Sequence, residues 1–257
     1  MFLLPNQSSF EVQQITEIAN YLDQFFHGLM TTLGLYIFAL SIGFVVGLVL
    51  SIVRLYGGPL SSRIATGYIE VIRGTPLVTQ IFIFAFAPDA INEALGMAGL
   101  PTFNTSWRIY VPDPFGGQSI FLSTRILMAA VCLALNSAAY QAEYLRGAMA
   151  SISGGQLKAA KSIGMTRSQG IRHIILPQSL RRVIPSWSNE AAYLPKYTTV
   201  AYFVAVEELF AKAKLIISRV PYPFEIYLMV AIVFLVLITA VSQTLDYVYD
   251  RMKIPGV

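Results

Sequence analysis

The stretch Gly154–Pro177, GGQLKAAKSIGMTRSQGIRHIILP, decides how this chain is to be read. It is a basic island in an apolar sequence, and its spacing is helical. In Gln156–Ile163, Leu157, Ala160 and Ile163 fall on one face, Lys158 and Lys161 on the other, and Gly164 fits the glycine that ends a helix. Thr166, with Gln169 three residues later, fits a capping box for a second short helix. In that helix Ile171, Ile174 and Ile175 share a face until Pro177 stops it. The expectation is helix, glycine turn, helix: a protrusion too short to bury its own apolar face, which either a partner protein or an anionic lipid surface would cover.

What surrounds the island is bilayer material. Hydrophobic residues make up 55% of the 257 and charged residues 12%, with a mean hydropathy of +0.60, against roughly 25% charge in an ordinary soluble domain. A helix needs about 20 mostly apolar residues to cross the hydrocarbon. Phe26–Val53, Ile120–Leu145 and Pro223–Tyr249 meet that length without interruption. Ile64–Pro88 carries Glu70 and Arg73, and Val183–Leu209 carries Asn189, Glu190 and Lys196 together with Pro185 and Pro195. The expectation is an all-α integral membrane protein of about five transmembrane helices.

Basic residues orient the spans. Before the first span lie Glu11, Glu17 and Asp23 with no Lys or Arg, and the next link carries Arg54 and Arg63. The link from Pro88 to Leu122 holds Asp89, Glu93 and Asp113 against Arg108. From Glu143 to Arg182 the basic residues are Arg146, Lys158, Lys161, Arg167, Arg172, Arg181 and Arg182, against Glu143 alone. The N-terminus is thus expected outside and the C-terminus in the cytoplasm. The expected parts are an external segment 1–24, a transmembrane domain 25–251 with an external loop at about 88–122 and a cytoplasmic loop at about 147–182, and a cytoplasmic tail 252–257. Met1–Gln24 lacks the positive start of a signal peptide. Cys132 lies within an apolar run, so no intrachain disulfide is possible.

The island resembles the cytoplasmic loop of the inner permease subunits of ATP-binding-cassette importers. That family carries Glu-Ala-Ala, three residues, Gly, nine residues, Ile, any residue, Leu-Pro. Here Ala159, Ala160, Gly164, Ile174, Leu176 and Pro177 stand at the matching positions, with Lys158 where the Glu is usual. EVIRGTPLVTQ (Glu70–Gln80), NSAAYQAEYLRG (Asn136–Gly147) and NEAAYLPKYTTVAYFVAVEEL (Asn189–Leu209) resemble the polar amino-acid branch, so the likeness runs from Phe26 to Arg251. Tyr197 departs from it, standing where a small polar or acidic residue commonly follows the Lys. The resemblance implies a five-span core in the cell membrane and a second permease chain, either a copy or a paralogue. It also implies ATPase subunits that meet the loop residues named above and hold ATP and Mg, and an external solute-binding protein.

Residue chemistry agrees about what the chain lacks. There is no Gly-Lys dipeptide, hence no phosphate cradle of the G-x-x-x-x-G-K-[ST] kind, and His27 and His173 are too few and too far apart for a zinc hydrolase. No cofactor or metal is expected in this chain. Glu70 with Arg73 and Glu143 with Arg146 share an i, i+3 spacing that suits structural ion pairs. At Gly74-Thr75-Pro76, Pro76 removes a donor inside an apolar run, and broken helices are where transporters bind solute. Thr75, Gln80, Asn136, Asn189, Glu190, Thr198 and Thr199 are therefore the candidates for the solute path, with Glu190 foremost. Gly43-x-x-x-Gly47 is expected to be helix packing. The chain reads as a permease subunit for a polar amino acid. The rivals are a secondary transporter or channel whose basic loop binds lipid, and a membrane-embedded enzyme, for which no paired carboxylates or ligand cluster are found.

Overall fold

The computed structural model describes residues 16–252. Most of the expected external segment 1–24 and the tail beyond 252 lie outside the described residues. Helix α1 (Leu22–Tyr56) covers the first expected span and ends where Gly57 turns extended. Its buried positions include Gly28, Thr32, Leu35, Ala39, Gly43, Gly47 and Ser51, a stripe of mostly small residues at helical spacing. Its first part, at Gly28 and Thr32, meets Leu209, and its later part, at Gly43 and Gly47, lies on the long central helix α4 (Thr124–Ser162). A Cβ at Gly43 would come within 2.8 Å of Gln141 Nε2, and one at Gly47 within 2.9 Å of the Ala138 carbonyl oxygen. The two backbones thus approach at a distance that only glycine permits, and the packing expected of Gly43 and Gly47 is found.

Between them, α2 (Pro59–Gly74) and α3 (Leu77–Met97) meet at a bend of 109°. Pro88 does not end the second expected span, because it lies inside α3. Of the loop expected at about 88–122, the residues up to Met97 continue α3, and β1 (Arg108–Pro112) and β2 (Gln118–Ser123) form an antiparallel hairpin with a bulge beside Ile109 and Tyr110. The hairpin is an addition to a mostly helical fold, and it moves the start of the third span from Ile120 to Thr124, where Ser123 caps α4 by accepting from the Ile126 amide.

Helix α4 runs unbroken through Gly154 and Gly155 to Ser162, so the first short helix of the basic island is its final turns. After Gly164, at φ +88°, comes α5 (Arg167–Gly170), whose capping box between Thr166 and Gln169 is as expected. A π turn (Ile171–Ile175) then leads into α6 (Leu176–Arg182). Pro177 therefore does not stop the helix. It sits in the first turn of α6, where its missing N–H costs little, and the wide π turn makes room for its ring. Helix α7 (Ile184–Tyr197) keeps Pro195 inside it and passes into a 3-10 segment (Thr198–Val204). Helices α8 (Leu209–Ile217) and α9 (Pro223–Met252) follow. Among the described residues three helices are long and apolar enough to cross a membrane, α1, α4 and α9, and the bent pair α2–α3 makes a fourth if it is one span. Val183–Leu209 does not reach that length as one helix.

Candidate functional site

The break at Thr75-Pro76 is held by side chains expected on the solute path. Pro76 has no N–H for the Ile72 carbonyl, and Thr75 takes the extended conformation that a residue before proline favours. The Thr75 hydroxyl donates to the Val71 carbonyl at 2.8 Å. Gln80 Nε2 donates to the Ile72 carbonyl at 2.7 Å, to the Thr75 carbonyl at 3.1 Å and to the Thr75 hydroxyl at 2.7 Å. Its Oε1 accepts from Asn136 Nδ2 at 2.9 Å, which ties the break to α4. Thr75, Gln80 and Asn136 thus come together, and their hydrogen bonds go to the backbone and to one another.

A second buried chain of hydrogen bonds ends on Glu190, which is 3% exposed. Trp187 Nε1 donates to Gln141 Oε1 at 2.7 Å, and Gln141 Nε2 donates to the Ser137 hydroxyl at 3.0 Å and to the Leu40 carbonyl at 3.2 Å. The Ser137 hydroxyl donates to Glu190 Oε1 at 2.6 Å. Three helices, α1, α4 and α7, are pinned through it. Thr198 is fully buried and donates to the Pro195 carbonyl, and Thr199 donates to that of Lys196, so both close the first turn of the 3-10 segment. Asn189 is apart from them, on the exposed face of α7 that also carries Tyr193, Lys196 and Tyr197. Lys196 Nζ lies 4.8 Å from the Tyr193 ring centre and pairs with no carboxylate among the described residues. One exposed face of α7 thus carries an amide, a lysine and two phenols.

Of the two expected ion pairs, one forms. Arg146 donates to Glu143 through Nε at 3.0 Å and through Nη2 at 2.9 Å. Arg54 of α1 also binds Glu143. Arg73 joins them 4.0 Å away and stacks 5.2 Å from the Tyr140 ring centre. Glu70 is exposed and makes no ion pair among the described residues, because the carboxylate near Arg73 is that of Glu143. Three arginines on α1, α2 and α4 therefore share one carboxylate. The sequence spacing showed only the local pair.

In the basic island Ala160 is buried and Ile174 and Leu176 are half-buried, whereas Lys158, Ala159, Gly164 and Pro177 are exposed. A Cβ on Gly170 would lie 2.9 Å from Leu157 Cδ1 and 3.3 Å from the Ala160 Cβ, so the segment packs its two limbs on each other. Ile163 does not share that contact, being 76% exposed. Ser137, Gln141, Tyr144, Trp187 and Tyr193 were not expected at the site. The signal for Gln141 was an amide inside an apolar run, four residues after Ser137. No group of three or more His, Cys, Asp or Glu among the described residues is placed to hold a metal ion.

Residues 39–254 match the family described as the inner membrane component of binding-protein-dependent transport systems. The glutamine transport system permease protein of Escherichia coli (strain K12) is 34% identical over 88% of this chain and 92% of its own length. The nopaline transport system permease protein of Agrobacterium fabrum is 32% identical over 83% of this chain and 81% of its own. A crystal structure of an amino acid ABC transporter with histidines superposes with a TM-score of 0.71 at 27% identity, covering 92% of this chain and 97% of that one. A methionine ABC transporter in an inward-facing conformation shares the fold, with a TM-score of 0.69 at 15% identity over 91% of this chain and 99% of its own. By this match and these relatives, the chain belongs to the family of inner membrane components of binding-protein-dependent transport systems.

Proposed function

We propose that the chain is the permease subunit of an ATP-driven importer of a polar amino acid. The observation that carries this is the length of its likeness to amino-acid permeases: 34% identity to a glutamine permease over 88% of the chain. In this reading α1, the bent pair α2–α3, α4, α7 with its 3-10 extension, and α9 are the five spans, with the N-terminus outside. Two such chains, or this one and a paralogue, enclose the path. Separate cytoplasmic ATPase subunits hold ATP and Mg, and an external binding protein delivers the solute.

The segment around Lys158, Ala159, Ala160, Gly164, Ile174, Leu176 and Pro177 is the coupling loop. Closure of the ATPases moves it, and α4, of which its first limb is the direct continuation, carries that movement toward Glu143 and the Ser137–Glu190 contact. The path wall is the face of Asn189, Tyr193, Lys196 and Tyr197, backed by Glu190. Thr75, Gln80 and Asn136 shape the path by fixing the break at Pro76.

The test is ATP-driven uptake of labelled glutamine in proteoliposomes holding this chain, its ATPase and its binding protein. Gly164→Pro, which forces a φ of about −65° where +88° is found, should abolish uptake and ATPase retention without affecting membrane insertion. Uptake down a gradient without any ATPase would establish the secondary-transporter reading instead. A cysteine at Ser168 in a Cys132→Ala background should be labelled only after permeabilisation, and one at Asn104 from outside.

A further inference from the structure

Between Glu143 and Glu190 the sequence contains no acidic residue. Apart from Arg146, which pairs with Glu143, the cations of this stretch therefore have no acidic residue nearby in sequence. Lys158, Lys161, Arg167, Arg172, Arg181 and Arg182 are all exposed, and none forms an ion pair among the described residues. Arg167 lies over the Tyr56 ring at 5.7 Å and Arg182 reaches the Ser151 hydroxyl at 3.2 Å. The others meet no partner there. At the protruding turn, between Lys161 and Arg167, sits Ile163, 76% exposed beside the left-handed Gly164.

Two surfaces suit a cationic protrusion: an anionic bilayer or an acidic protein groove. A segment that lies on lipid presents a continuous apolar face to it. Here that face is already used, since Leu157 and Ala160 pack on Gly170 and Ile175 is fully buried. What is left outside at the turn is the Ile163 side chain, between Lys161 and Arg167 in the sequence. That shape fits a socket.

We propose that this segment docks in a groove of the cytoplasmic ATPase subunit whose rim is lined by carboxylates and whose floor holds an apolar seat for Ile163. The proposal rests on the reading of the segment as a coupling loop. It adds the charge of the mating surface, which follows from Lys158 standing where the family pattern has Glu. An ATPase whose groove suits an acidic residue at that position is then rejected by this chain, because like charges brought together at an interface are strongly unfavourable.

The experiment uses the full chain in nanodiscs of phosphatidylcholine alone and the purified ATPase subunit that accompanies it from native membranes, with binding measured against salt. Wild type should bind and weaken as salt rises, since charges are screened beyond about 10 Å at 0.1 M. Lys158→Glu with Lys161→Glu should weaken binding roughly tenfold or more at low salt. Lys158→Gln should weaken it less, and Ile163→Ser should weaken it with the salt dependence retained. These substitutions are on the exposed surface, so monodisperse nanodiscs serve as the folding check. If Gly164→Pro abolishes binding while the charge variants bind as wild type, the acidic groove is wrong and the coupling loop stands. If Gly164→Pro also binds normally, both readings fall. If the charge variants lose affinity only for vesicles containing phosphatidylglycerol and keep that for the ATPase, the cations serve the membrane and the groove proposal is overturned.

Discussion

Helices α4 and α9 are both long and apolar enough to cross a membrane, but 61% of the α4 stretch is buried within the chain against 11% of the α9 stretch. Their side chains explain the difference. Helix α4 presents Ala129, Ala130, Ala134, Ala138, Ala139 and Ala142, with Asn136, Ser137 and Gln141 among them, all buried. Helix α9 presents Leu228, Ile232, Leu235 and Val236, all exposed, and is anchored near its start by Ile226 and Val230 against Leu209, Ala213 and Ile216. Lipid tails are as apolar as leucine, so large apolar side chains give a helix no reason to leave lipid for another helix. Small residues that permit close approach, and polar groups that need partners, do. Within one chain, hydropathy marks which helices cross and the small and polar positions mark which one the others gather on.

The largest effect should follow from spoiling the close approach of α1 to α4. Gly47→Val places a branched side chain where a single Cβ would already lie 2.9 Å from the Ala138 carbonyl and 3.1 Å from the Ala142 nitrogen. Both are backbone atoms that cannot rotate away. The expected cost is about 3 kcal/mol, read as a lower unfolding midpoint in detergent. A midpoint equal to wild type would mean that the glycine stripe is not what seats α1.

Next comes Gln141→Leu, which keeps bulk and removes the amide. Trp187 Nε1 would then lack the acceptor found at 2.7 Å, while the Leu40 carbonyl, inside α1, loses only a second donor at 3.2 Å. Leaving the indole N–H unpaired should cost about 2 kcal/mol. The double variant Gln141→Leu, Trp187→Phe should recover part of the loss, and purely additive losses would show that the two side chains do not act through each other.

These same residues show how much could be seen in advance. The basic island, the three uninterrupted spans, the capping box at Thr166 and the glycine contact at Gly43 and Gly47 are local, set by composition and by spacings of three or four, and all were legible. The hairpin at 108–123 was not, because Pro112, Pro114, Gly116 and Gly117 punctuate a loop and a strand pair equally well. Pro76 breaks its helix whereas Pro88, Pro177 and Pro195 do not. At Pro76 the Gln80 side chain reaches the freed Ile72 carbonyl, and at Pro177 a π turn precedes the ring; neither is a property of the proline's nearest neighbours in sequence. The candidate site was legible as a set of polar residues in apolar runs. Which of them face one another was not: Arg73 meets Glu143 rather than Glu70, and Glu190 meets Ser137, at separations of tens of residues.

Glu190→Gln is the third prediction and tests the function of the buried chain. Glutamine can still accept from Ser137, so the loss should be about 1 kcal/mol, the difference between a charged and a neutral acceptor. Because Glu190 is buried behind the face that carries Asn189 and Tyr193, uptake of arginine and of glutamine should fall together. Selective loss of arginine at unchanged stability would place Glu190 in direct contact with the solute.

The smallest effect should come from α9. Leu235 is 65% exposed on a helix whose midsection meets little of the chain, so Leu235→Ala exchanges one lipid contact for a smaller one. No cavity is left, since lipid tails fill the space, and alanine is at least as good a helix former as leucine. The change in stability should lie within about 0.5 kcal/mol, measured in nanodiscs that hold one chain each. The same substitution should then be measured in the assembled importer. If the cost rises there to 2 kcal/mol or more, as for a buried leucine, the exposed face of α9 is a protein interface in the complex, and its large apolar side chains are waiting for a second chain. If it stays small in both, α9 meets lipid throughout and the contrast with α4 holds for the whole transporter.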